Sequence, residues 1–343
     1  MLGVIIHAQK DLRIEPVASV APAAGQVRIA VKAGGICGSD LHYYLHGGSG
    51  SIRVREPMAL GHEMAGVIEE CGAGVSHLVP GMRVSVNPSS PCYECEYCRE
   101  GAHNQCMNMQ FMGSAMRLPH AQGGFRQSIT VSAAQAIPIA ETVTMAEAAM
   151  AEPLAVVLHA MKQAGPLLGK RVLVTGCGPI GALCVLVARN AGAAEIIATD
   201  VGEFPLQITR KLGATAALNM ATTPEALAPY ATGKGTVDIL FEASGNQAAL
   251  NGALAAIRAG GIIVQLGLGG DVTLPINAIV TKELQLRGTF RFDSEFQQAV
   301  DLMNSGRIDL TPLVTHTLPF QEANDAFMLA TDRSRAMKVQ LSF

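Results

Sequence analysis

Four cysteines crowd into one short stretch, Cys92-x2-Cys95-x2-Cys98-x7-Cys106. Four thiolates at that spacing can close a tetrahedron around Zn²⁺ with no open position, which makes a structural site. Pro88 and Pro91 ahead of the cluster and Gly101 within it suit a metal-stapled lobe over about residues 88–110. A second set of ligand types is dispersed: Cys37 supplies sulfur, His62 an imidazole, and Glu63 and Glu152 carboxylates. Three protein ligands plus a water are what a catalytic zinc needs. Spacing alone does not assemble these residues, and it does not choose between Glu63 and Glu152.

A third constellation is Arg171-Val-Leu-Val-Thr-Gly176-Cys-Gly178-Pro-Ile-Gly181, a G-x-G-x-x-G that follows an apolar strand and opens a helix. Gly176 permits the tight turn, Gly178 lets the backbone approach a pyrophosphate, and Gly181 lets helix and strand pack closely. The helix N-terminus then presents unpaired N–H groups to phosphate. Asp200 ends the next strand, where a carboxylate can accept from both ribose hydroxyls. It also repels a 2′-phosphate, and Val201–Pro205 adds Glu203 but no cation. NAD is therefore favoured over NADP, with Arg210 the nearby cation that could reverse the preference.

These residues need elements to carry them. Residues 1–148 read as short strands broken by Gly and Pro, among them Gln26–Lys32, Met64–Glu69 and Arg83–Val86, which suggests a compact, partly open barrel. From about residue 150 the texture changes. Arg171–Thr175, Glu195–Asp200, Val237–Ala243 and Gly261–Leu266 read as strands, with helices over Ile180–Ala191, Phe204–Leu212 and Gln247–Ala259 between them. That alternation predicts a doubly wound parallel sheet over 149–289, an α/β domain. Past about residue 290 the rhythm is lost, and 290–343 is expected to return to the first domain. Glu152-Pro153 falls at the junction.

With 343 residues the chain is long enough for two cores, and its 36 glycines and 49% apolar content suit such an α/β protein. Net charge is −3 with no basic run, so neither nucleic acid nor an anionic membrane is an expected partner. No apolar stretch approaches the ~20 residues of a membrane span, and the N-terminal apolar stretch is too short for a secretory signal. A cytoplasmic location follows as an expectation. Cys71, Cys177 and Cys184 read as small buried residues, and the 15 methionines as core filling.

Gly61-His-Glu-x-x-Gly66-x5-Gly72-x2-Val75, together with Cys37-Gly-Ser-Asp, the four-cysteine lobe and the Gly176–Gly181 loop in that order, resembles the medium-chain zinc-dependent alcohol dehydrogenases. Glu152-Pro153-Leu154, Cys37–Tyr43 and Phe290-Arg291 resemble that family's polyol, sorbitol-type branch. The resemblance covers essentially the whole chain. It implies a GroES-like catalytic domain joined to a Rossmann domain, two zinc ions per chain and a homotetramer or homodimer. The reaction implied is hydride transfer between a nicotinamide and a secondary hydroxyl of a polyol or sugar acid.

The resemblance further implies a proton relay through Ser39 and His42 or through Glu152, with Tyr43 as a pocket wall. Arg291 would serve as substrate arginine, matched to an anionic sugar acid. Coenzyme contacts are implied at Gly176, Gly178, Pro179, Ile180, Gly181, Asp200, Leu266, Gly267, Leu268, Thr289 and Arg291. Gly113–Met116, Pro119-His120 and Gly123–Phe125 set the chain apart from the sorbitol enzymes, and His120 and Arg117 are further candidates for a substrate carboxylate. Two positions depart from the branch: Pro205 stands where an Arg usually follows the ribose acid, and Phe292 where a Tyr usually follows the substrate Arg. Sorbitol-, xylitol-, galactitol- and L-threonine-type activities are the alternatives within the branch. A non-catalytic dinucleotide sensor or a zinc-free quinone reductase would lack the zinc ligands present here.

Overall fold

Strand Gln26–Gly35 alternates apolar and polar residues, and Val27, Ile29 and Val31 are at most 1% exposed. Period-two patterning of this kind buries one face of a strand. In this computed structural model, which describes Met1–Phe343, that strand is the hub of a seven-stranded sheet. It pairs antiparallel with Glu63–Cys71, Ser128–Ser132 and Lys338–Ser342. Arg83–Val86 extends the sheet from Glu63–Cys71, and Val314–Pro319 lies beside Lys338–Ser342. Val27, Ile29 and Val31 pack with Met64, Ile68, Val84, Val86, Ile129 and Val131. Burying each such aliphatic side chain contributes about 1.5–3 kcal/mol. The C-terminal strand is thus an integral part of the first unit, which comprises Met1–Glu152, Phe296–Asp332 and Lys338–Phe343.

The second unit comprises Pro153–Glu295 and Arg333–Met337. Its six strands are parallel and lie in the order Ala216–Asn219, Glu195–Asp200, Arg171–Thr175, Val237–Glu242, Ile257–Gln265, Gln285–Gly288. In chain order this is 3-2-1-4-5-6, the doubly wound arrangement whose switch point falls between Arg171–Thr175 and Val237–Glu242. The central strands are apolar almost throughout, as strands covered on both faces must be.

One expected element boundary moves furthest. The helix expected over Gln247–Ala259 ends at Ala253, and strand Ile257–Gln265 begins earlier than its apolar run suggested. Ala255-Ala256-Ile257 continues a helical pattern in sequence, but Ile257 pairs with Val237 instead. Lys282 donates to the carbonyls of Leu254, Ala255 and Ile257, satisfying backbone acceptors where the helix gives way to the strand.

Candidate metal centres and dinucleotide site

Sheet register turns distant residues into neighbours. Gly35, which ends its strand, is paired with Glu63, which begins the next one along the sheet. Cys37 lies just past Gly35 and His62 just before Glu63, so the two strand ends deliver both ligands to one place. The ligand atoms of Cys37, His62 and Glu63 all lie within 4.8 Å of one another. On the other side of Gln26–Gly35, strand Lys338–Ser342 pairs Gln340 with Gly35. Lys338 therefore reaches Glu63, its ammonium 2.7 and 2.8 Å from the two carboxylate oxygens, with a further bond to the carbonyl of Ile36. Gly35 makes that possible: a Cβ there would sit 2.0 Å from Glu63 Oε2.

The turn that carries the imidazole is fixed from beneath. Asp40, wholly buried in helix Gly38–His46, accepts from the backbone N–H of Cys37 at 2.9 Å and of Gly61 at 3.3 Å. Its Oδ1 lies 3.8 Å from His62 Nδ1. Burial raises the pKa of Asp40; for His62 burial acts downward but is outweighed by Asp40, Cys37 and Glu152, which hold it well above its ordinary value. Burial likewise acts to lower Lys338, and Glu63 and Cys37 more than offset it.

Glu152 enters from the first turn of helix Ala151–Ala164. It is 6% exposed, and its charge interacts with those of His62, Glu63, Lys338 and Asp40. Burial pushes its pKa up to about 7. Sulfur, nitrogen and carboxylate oxygen converge here with more acids than the buried Lys338 and His62 can balance. That donor set fits a divalent zinc ion.

The four-cysteine lobe is equally well formed. The ligand atoms of Cys92, Cys95, Cys98 and Cys106 lie within 4.8 Å of one another, with Cys92 and Cys106 sulfurs 3.5 Å apart. Backbone N–H groups point at the sulfurs: Cys92 and Asn108 donate to Cys106, and Cys95 donates to Cys92. The N–H groups of Glu94 and Cys95 draw the Cys92 thiol down to about 6, while burial pushes Cys98 up to about 12. Four sulfurs at this separation cannot all ionise without a cation among them, so the lobe fits a structural zinc.

In the second unit Gly176 adopts φ +81°, and Gly178 precedes helix Pro179–Asn190, which Pro179 opens and Ile180 and Gly181 continue. A Cβ at Gly181 would lie 1.8 Å from the carbonyl of Gly176, whereas one at Gly178 would meet nothing within 4 Å. The first position is closed by packing, and the second is open to a ligand. Asp200 accepts from the N–H of Cys177 at 2.7 Å and of Gly202 at 2.8 Å, so the expected ribose acid also braces the glycine turn. Arg210 is held by Glu203 at 2.6 Å and by the carbonyl of Ala217. The N–H groups of Leu266 and Gly267 both donate to the carbonyl of Glu242, Leu268 is 85% exposed, and Thr289 donates its N–H to Gln265.

Other expected site residues fall as follows. Ser39 is half-buried in the first turn of helix Gly38–His46, and His42 is exposed with its ring 5.8 Å from that of His46. Tyr43 is buried, and its hydroxyl accepts from the N–H of Ala115. Arg291 has left-handed backbone, φ 55°, and its guanidinium lies 4.9 Å over the Phe290 ring. His120 and Arg117 are tied into loop structure. His120 Nε2 accepts from Arg55 N, its Nδ1 bonds the Arg117 carbonyl, and Arg117 donates to the carbonyls of Met107 and Met109. Sequence reasoning missed Asp40 and Lys338 as functional residues. Asp40 stands inside the Cys37-Gly-Ser-Asp segment, and the only signal for Lys338 was a charge in an otherwise buried strand.

Residues 23–141 match the family model of the alcohol dehydrogenase GroES-like domain, and residues 179–305 that of the zinc-binding dehydrogenases. L-Idonate 5-dehydrogenase (NAD(P)(+)) of Escherichia coli (strain K12) is 42% identical over 316 residues, 92% of this chain and 91% of that protein. Sorbitol dehydrogenase of Gallus gallus is 38% identical over 344 residues, 99% and 96% of the two chains. The crystal structure of the Escherichia coli L-idonate 5-dehydrogenase matches with a TM-score of 0.95 at 39% identity, covering 100% of this chain and 98% of that one. With its metal-ligand clusters and glycine loop in place, the chain belongs to the medium-chain, zinc-binding alcohol dehydrogenase family, in the polyol and sugar-acid branch, and is an NAD(P)-dependent oxidoreductase of CH–OH groups.

Proposed function

We propose that the protein is an NAD-dependent L-idonate 5-dehydrogenase, interconverting L-idonate and 5-dehydro-D-gluconate. The observation that carries this reading is the Cys37–His62–Glu63 cluster, in a chain so similar to an L-idonate dehydrogenase over nearly its whole length. Cys37, His62 and Glu63 would hold a zinc ion, which would supply Lewis acidity to a secondary hydroxyl. The nicotinamide of NAD, bound at the glycine turn, would supply the hydride acceptor. Glu152, buried beside the ligands, takes up the proton, with Ser39 and His42 as the alternative route. Lys338 and Asp40 keep Glu63 and His62 in their working orientations.

Substrate choice is supported by the Gly113–Phe125 segment. It lies directly on the turn that carries His62: a Cβ at Gly113 would come 2.9 Å from Gly61 O, and one at Gly123 2.3 Å from Leu60 O. It also meets Tyr43 through Ala115. Arg291 is the candidate for the sugar-acid carboxylate that the family resemblance implies. NAD is favoured over NADP because Asp200 stands at the ribose position and Arg210 is engaged by Glu203. A sorbitol-type activity is the second reading, favoured by the 38% identity to a sorbitol dehydrogenase.

NADH formation with L-idonate, sorbitol, xylitol and L-threonine, each repeated with NADP, tests the reading. L-Idonate with NAD is expected to give the highest kcat/KM. A neutral polyol outperforming it would overturn the sugar-acid assignment and leave the reaction class standing.

A further inference from the structure

We propose that Glu242 is the positioning residue of the coenzyme surface, a buried anion that holds three loops in one arrangement so that a dinucleotide can bind. The proposal rests on the dinucleotide reading of the second unit. Glu242 ends strand Val237–Glu242, beside the switch point, and is 0% exposed. Every group that reaches its carboxylate is a donor, and none is a Lys, Arg or His. The N–H of Ser244 donates at 2.9 Å and that of Gly245 at 3.0 Å, joined by the Ser244 hydroxyl. Gln265 Nε2 donates at 2.6 Å from the end of the next strand, and the Thr175 hydroxyl at 3.3 Å from the residue before Gly176. The backbone carbonyl of Glu242 accepts from the N–H groups of both Leu266 and Gly267 at 2.8 Å.

What these bonds join matters more than their number. They connect the ends of strands Arg171–Thr175, Val237–Glu242 and Ile257–Gln265, the edge of a doubly wound sheet where ligands bind. The loops leaving those ends touch backbone to backbone. A Cβ at Gly176 would lie 2.7 Å from Ser244 Cα, one at Gly267 2.1 Å from Gly245 N, and one at Gly269 1.6 Å from Gly245 O. The glycines let the loop backbones come this close, and donors converging on one carboxylate help to hold them together. Gln265 extends the hold by donating also to the Gly267 carbonyl at 2.9 Å. The glycine turn expected to receive the pyrophosphate and the Leu266–Leu268 segment thus both bear on Glu242. A charge-assisted bond loses most when a donor is set against donors, which is what a carboxamide at position 242 does.

The test compares Glu242→Gln and Gln265→Met with the parent zinc-loaded enzyme, reading the NADH dissociation constant by nicotinamide fluorescence, KM for NAD, kcat at saturating NAD, zinc content and Tm. Both variants are expected to raise the NADH Kd and the KM for NAD, Glu242→Gln by at least about tenfold. kcat should fall less than about threefold, and zinc content should not change. An NADH affinity within about twofold of the parent overturns the proposal, even with a lowered Tm, since that is a purely structural role. So does a loss confined to kcat. Where Glu242→Gln does not accumulate as folded protein, Gln265→Met decides by the same criteria. A parent enzyme that binds no NADH removes the dinucleotide reading itself, which separates that failure from this one.

Discussion

At the scale of single residues, function turns on which charges are fixed and which are free. Glu63 and Lys338 are 1% and 3% exposed and bonded through both carboxylate oxygens. Breaking a buried pair from one side leaves an uncompensated charge and costs about 3–5 kcal/mol. Lys338→Met should lower stability by about 3 kcal/mol in denaturant unfolding; an unchanged midpoint would show that the ion pair does not hold Glu63. Glu63→Gln should strip the catalytic zinc while leaving the four-cysteine ion. Glu152→Gln should retain both and lose kcat by about a hundredfold or more, as removal of a proton acceptor does. Metal analysis beside turnover separates the two, and the reverse pattern would exchange the roles of the two glutamates. Much of this chemistry is legible in the amino-acid sequence. Cys92–Cys106 and Gly176–Gly181 are local patterns whose geometry follows from spacing. Asp40 and Lys338 are not legible as functional, because what they touch is decided by strand register between segments far apart in the chain. The bland role of His120 is equally hidden, since its two ring nitrogens are used by backbone groups of Arg55 and Arg117.

Elements carry the next layer. Four of the six parallel strands of the second unit are readable from their apolar runs; Ala216–Asn219 and Gln285–Gly288, short and only partly buried at the two edges of the sheet, are not, and Ile257 is misread because alanines favour a helix that sheet pairing overrides. Glu295 illustrates how one residue fixes an element. It is 1% exposed at the start of helix Glu295–Asn304 and bonds Lys162 of helix Ala151–Ala164 and the N–H of Asp293. Burial acts to raise its pKa, but bonds from His159, from backbone N–H groups and from Lys162 outweigh it and bring the value down to about 2. A carboxylate with a depressed folded-state pKa contributes its stability above the unfolded value and loses it as pH falls through the folded one. At most about 3 kcal/mol should therefore disappear between roughly pH 5 and pH 2. Glu295→Gln should flatten that part of the stability profile; a variant with the parent's acid limb would contradict the assignment. Coenzyme choice also belongs to this scale. Asp200→Ser should raise kcat/KM for NADP relative to NAD by at least about tenfold, and no change in the ratio would remove Asp200 from the ribose site.

Over the whole molecule, strand Gln285–Gly288 lies at one edge of the parallel sheet with Leu286 47% exposed, and the adjoining helix Ile276–Thr281 buries none of its residues. Ile276 and Val280 stand 62% and 67% exposed. An unpaired edge strand flanked by apolar residues is a template for pairing with another chain. No helix is long and apolar enough to cross a membrane. The central claim remains that catalysis depends on an ion held by Cys37, His62 and Glu63, separate from the ion held by the four cysteines. Zinc content and NADH formation, measured together on the parent and on Cys37→Ser, test it most directly. The expected result is about two zinc ions per parent chain and about one in the folded variant, with turnover lost by at least about a thousandfold. A variant that keeps full turnover with only the four-cysteine ion bound would contradict it.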